Sequence, residues 1–69
     1  MKTNKFKFGD VLTFSGQEIF VIEDYGCCGV IAMDGKVYGG WYWQIGEIKC
    51  EFVRNSTDKE LENLHVLVD

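Results

Sequence analysis

The stretch Val37-Tyr38-Gly39-Gly40-Trp41-Tyr42-Trp43-Gln44-Ile45 decides how this chain is read. Both tryptophans and two of the three tyrosines fall within six residues, beside paired glycines. Aromatic and β-branched residues suit a pleated, half-buried surface, so the stretch reads as a strand. Just before it, Asp34-Gly35 signals a hairpin, because both central positions of a type I′ turn need positive φ. The aromatic stretch is then the return arm of a hairpin whose first arm is residues 28–33. Strict period-two geometry sets Val37, Gly39, Trp41, Trp43 and Ile45 on one face, and Tyr38, Gly40, Tyr42 and Gln44 on the other. If both tryptophans fill the core, Tyr38 and Tyr42 face solvent. A bulge at Gly39-Gly40 would break the alternation and give each tryptophan its own environment.

Working outward, Phe6 and Phe8 lie on one side of an extended lead-in over residues 4–8, and Gly9-Asp10 reads as a turn. Residues 11–14 form a strand, and Ser15-Gly16 turns it into a second one over residues 18–23. The middle of that strand is apolar on both faces, which suits a central strand in a small closed sheet. Asp24-Tyr25-Gly26 is a loop. Beyond the aromatic stretch, Gly46-Glu47 is a turn, and Ile48, Cys50 and Phe52 alternate with Lys49 and Glu51 in a strand ending near Arg54. Thr57 and Glu60 have the spacing of a capping box. Leu61 and Leu64 would anchor a helix of about two turns, which needs tertiary packing to persist. His65-Val66-Leu67-Val68 reads as a last short strand.

The expectation is one mainly β domain over residues 1–69. Its architecture is a small barrel or a strongly bent antiparallel sheet of five to six strands, with a short helix near the C-terminus. Hydrophobic content of 46%, 14% of the chain being aromatic, is too high for a disordered chain. No proline divides the sequence.

The net charge of −4 weighs against non-specific nucleic-acid binding, which depends on phosphate neutralisation. Lys2, Lys5 and Lys7 open the chain, and Asp58, Glu60 and Glu62 sit near its end. No apolar run is long enough to cross a membrane, and the basic start is not followed by the apolar segment of a signal peptide. The chain reads as cytoplasmic and soluble. Cys27, Cys28 and Cys50 are odd in number, and two are adjacent, so no disulfide framework is expected. Three cysteines with His65 lack the spacing of a zinc site, and the expectation is no metal and no cofactor. A lone His65 without a positioned partner does not make an acid–base pair, so no catalytic residues are assigned.

The opening Phe6-Lys7-Phe8-Gly9-Asp10-Val11-Leu12, followed by Gly16 and the strand at residues 19–22, resembles the start of many SH3-like barrels. Small bacterial and phage-encoded proteins share it, as do ribosomal-type barrels, and the resemblance spans roughly residues 6–54. It implies an SH3-like barrel. The ribosomal-type barrels carry basic loops facing nucleic acid, which this acidic chain lacks. Peptide-binding SH3 domains pair an aromatic groove with acidic loop residues, parts that residues 41–43, Tyr25 and Glu23-Asp24 would supply. No family is assigned from it.

The expected function is a non-catalytic protein-binding module, a regulator or inhibitor of a larger protein; a phage or mobile-element origin would suit it. The expected contact residues are Tyr38, Tyr42, Trp43, Tyr25 and Trp41, since Tyr and Trp give large contact area with a polar handle. One alternative is a single-stranded nucleic-acid-binding barrel that stacks bases on Trp41, Tyr42, Trp43 and Tyr25, with Lys36, Lys49 and Arg54 at the rim. Another is a self-associating structural subunit that uses an edge strand or the aromatic patch.

Overall fold

A computed structural model describes residues 6–68. Lys2, Lys5 and the first residues of the extended lead-in lie outside the described part. Seven strands and a helix follow in chain order. They are β1 Asp10–Phe14, β2 Gln17–Asp24, β3 Cys28–Met33, β4 Lys36–Tyr42, β5 Gln44–Ile45, β6 Ile48–Lys49, β7 Glu51–Asn55 and α1 Asp58–Val68. Five strands form one antiparallel sheet in the order β4-β3-β2-β1-β7, and β5 pairs with β6 in a separate ribbon. The protein is mainly β with one C-terminal helix. The sheet is not closed into a barrel, since β4 and β7 remain its two edges.

Turn chemistry sets the hairpins. Asp34 and Gly35 have φ of 54° and 75°, and the β3–β4 register runs from Met33 opposite Lys36 at this turn. Ser15-Gly16 joins β1 to β2 in the same way. The expected turn at Gly9-Asp10 falls one residue earlier, because Asp10 already pairs with Asn55 of β7.

β2 is the central strand, as its two-sided apolar pattern predicts. One face of the sheet carries Leu12, Ile19, Val21 and Ile31, which are fully buried and cluster with Trp43 and Cys50. Phe6, Phe14, Met33 and Trp41 pack around that cluster. The other face carries the cross-strand row Val11, Phe20, Ala32 and Val37. Fully burying a Val, Leu or Ile contributes about 1.5–3 kcal/mol, so the centre of the sheet is secured from both sides.

Three bulges bend the sheet. Ile22 of β2, one residue of the Gly39-Gly40 pair of β4, and Val53 of β7 have no counterpart on the neighbouring strand. Two of them sit on the edge strands, where a bulge hinders pairing with another strand. The predicted strand over residues 48–54 is interrupted at Cys50, which is buried between β6 and β7.

The helix corrects the reading of the C-terminus. Residues 65–68 form its last turn, not a strand, and α1 has eleven residues rather than two turns. Val66 and Val68 favour strands locally, but capping and packing prevail. The Thr57 N–H donates to Glu60 Oε1 at 2.9 Å, and the Glu60 N–H donates to Thr57 Oγ1 at 3.2 Å, closing the capping box. Arg54 of β7 then grips Glu60 through two contacts, at 2.8 Å and 3.1 Å. Leu64 is buried, and Leu61 lies so close to Gly9 that a Cβ there would sit 2.7 Å from Leu61 Cδ2. The His65 ring lies against Phe8, with centroids 5.0 Å apart.

Candidate functional site

The aromatic stretch is bulged, and this redistributes its side chains. Ile31 faces Tyr38, but Gly29 faces Trp41, so three residues of β4 span what two residues of β3 span. Tyr38 and Trp41 therefore share a face, contrary to strict alternation, and their ring centroids are 6.2 Å apart. Trp41 also packs edge-on against Phe14, at 5.3 Å. Gly40 has φ of 65°, a backbone that other L-residues adopt only with strain.

Trp43 lies just beyond β4 and is almost entirely buried. Its backbone N–H donates to the Cys27 carbonyl at 3.2 Å, and its carbonyl accepts from the Cys50 N–H at 2.8 Å. The indole N–H donates to Asp24 Oδ1 at 3.0 Å. The same carboxylate accepts from the Phe6 N–H at 2.8 Å and from the Gly26 N–H at 2.7 Å. Asp24 thus ties the lead-in, the β2–β3 loop and Trp43 together. Phe6 packs edge-on against the Trp43 ring, at 5.1 Å. Gly29 is dictated by this packing: a Cβ there would meet the Glu23 carbonyl at 2.1 Å and Trp43 Cζ2 at 2.5 Å.

Around this buried residue stand four half-exposed apolar side chains. Tyr25 is 49% exposed, Tyr42 55%, Ile45 55% and Ile48 47%, against 5% for Trp43. Tyr42 is opposite Cys28, and the Tyr25 N–H donates to the Cys28 carbonyl. The Tyr25 hydroxyl donates to Glu23, and this hydrogen bond raises its pKa. Ile45 faces Ile48 across the ribbon, two residues beyond Trp43 and two before Cys50. Side chains two apart on a strand share a face, so the isoleucines continue the Trp43–Cys50 face past the body of the protein into solvent.

The five predicted contact residues therefore fall into three environments. Tyr25 and Tyr42 are both placed beside Cys28, near the Trp43 corner. Tyr38 and Trp41 flank the bulge and pack together, and Trp43 is core. Ile45 and Ile48 were missed as surface candidates; their signal was period-two continuation of an apolar face across a Gly-containing turn.

Among the described residues, no three His, Cys, Asp or Glu side chains are placed to hold a metal ion, and no helix is long and apolar enough to cross a membrane. Burial pushes the Cys50 thiol above its ordinary pKa; the Trp41 indole N–H opposes this. Trp41 Nε1 is itself buried without a hydrogen-bond partner, so its approach to the thiol falls short of a bond. Arg54 is engaged by Glu60 and Glu18. No protein-family model, curated protein or solved structure matches this chain.

Proposed function

We propose that this chain is a non-catalytic protein-binding module that regulates or inhibits a larger protein. The observation that carries this reading is the group Tyr25, Tyr42, Ile45 and Ile48, held half-exposed on a corner fixed by Trp43 and Asp24. Large apolar side chains on a rigid support are what interface hot spots require, because little entropy is lost when they dock.

Two features favour a protein partner over single-stranded nucleic acid. The burial of Trp43 removes one stacking platform, and the engagement of Arg54 by carboxylates removes one rim cation. The bulges at Gly39-Gly40 and Val53 weigh against self-association through strand edges.

The test is affinity capture from the native host, with Tyr42→Ala and Ile48→Ser in parallel. Both side chains are exposed, so each substitution is expected to change stability by no more than about 0.5 kcal/mol. A partner held by the parent chain and lost by both variants supports the reading. A partner retained by both, or salt-sensitive binding of an oligonucleotide by the parent chain, would overturn it.

A further inference from the structure

The side of the sheet opposite the Trp43 cluster carries a second surface. The row there is Val11, Phe20, Ala32 and Val37, and a groove of about 400 Å³ lies between its Phe20 and Ala32 and helix α1. That volume falls within the ~300–1,000 Å³ usual for binding pockets. Its apolar walls are Phe20 and Ala32 from the sheet and Leu64 and Leu67 from the helix. Val66 lines the groove while 76% exposed, more than any other large apolar residue described. An apolar wall facing open solvent lacks the contacts that close packing supplies, so an apolar occupant would gain them.

Charge selects the occupant. The lining contains two carboxylates, Asp34 and Glu60, and no lysine, arginine or histidine. Glu60 is committed to Arg54 and to the helix cap. Asp34 makes no salt bridge among the described residues. Lys36, across the turn from Met33, lies outside the lining. The net charge of −4 adds a long-range field of the same sign.

We infer that this groove is a docking site for a basic, amphipathic segment of a partner protein, whose apolar side chains enter between α1 and the sheet while a lysine or arginine meets Asp34. It is distinct from the Trp43 corner and does not depend on it.

The test is an NMR titration of the intact chain with two short capped peptides, one alternating leucine with lysine and one alternating leucine with glutamate. The lysine peptide is expected to shift the resonances of Ala32, Asp34, Leu64 and Leu67, and the glutamate peptide is expected not to. Asp34→Asn keeps a residue that tolerates positive φ and should weaken binding roughly two- to fivefold, the scale of one exposed charge pair. Val66→Arg, at an exposed position, should weaken binding of the lysine peptide by a similar factor by placing a cation on the rim. Equal binding of both peptides, shifts centred on Tyr42, Ile45 and Ile48, or no shift at millimolar peptide would each overturn the inference. A host partner lost by Tyr42→Ala but kept by Val66→Arg would leave the Trp43 corner as an interface on its own, and the titration would still decide the groove.

Discussion

Trp41 and Trp43 are two residues apart in one aromatic stretch, yet they occupy opposite kinds of site. Trp43 is buried, its indole N–H is satisfied by Asp24, and its ring fills the space left by the missing side chain of Gly29. Trp41 is half-buried beside Phe14 and Tyr38, and its indole N–H is buried without a partner. Residue type does not separate them, and both follow the bulge; the reach of a carboxylate, Asp24, does. The lesson is that the Trp43 corner is fixed by polar bonds to three separate segments, whereas the Trp41 region is held mainly by ring packing.

The sharpest way to break this contrast is at the corner. Trp43→Ala should cost about 3–5 kcal/mol, the usual range for removing a buried aromatic. A chain of this size has only roughly 3–10 kcal/mol in total, so urea unfolding should show a protein at the edge of stability. Gly29→Ala should be comparably damaging, because the new Cβ meets a backbone carbonyl that cannot move aside cheaply.

Exchanging each tryptophan for phenylalanine sharpens the comparison further. Trp43→Phe removes a hydrogen bond to a carboxylate and should cost about 1.5–3 kcal/mol, whereas Trp41→Phe removes an unsatisfied N–H and should be close to neutral. Equal losses in denaturant titrations of the two variants would show that ring volume, not the polar bond, distinguishes the sites.

Acid tests a different attachment. The hydrogen bonds from Arg54 and the Thr57 backbone hold Glu60 at about 2, below its ordinary 4.5. A depressed carboxylate pKa stabilises the fold fully above the unfolded value, and that stabilisation fades as pH falls from about 4.5 towards 2. The melting temperature should drop across this window, and Glu60→Gln should flatten that part of the profile. The smallest effects are expected at the bulge. Gly40→Ala should cost about 1–2 kcal/mol through backbone strain alone, since nothing lies near the added Cβ. Gly39→Ala, without positive φ and also in open space, should change stability by less than about 0.5 kcal/mol, measured by the same unfolding curves.

Much of the sheet was legible because its signals are local. Asp34-Gly35 and Ser15-Gly16 announce their hairpins by turn chemistry, and the apolar middle of β2 announces a central strand. The capping box of Thr57 and Glu60 was legible for the same reason. The end of α1 was not, because Val66 and Val68 favour strands and only the cap, Arg54 and the packing of Leu64 carry the helix through them. Of the aromatic stretch, Tyr38 and Tyr42 were legible as outward-facing residues. Ile45 and Ile48 were not, since an isoleucine on an apolar face normally reads as core.

By itself the sequence determined the hairpins, the strand class and the acidic balance of the surface, all of which follow from neighbours in the chain and from counting charges. It also placed two glycines where a bulge was possible. Only the tertiary structure decided that β4 bulges there, that Asp24 accepts the Trp43 indole N–H nineteen residues away, and that the sheet stays open between β4 and β7. The physical reason is that facing and burial depend on which distant groups satisfy a ring and its N–H, and a one-residue shift of register reverses every face after it.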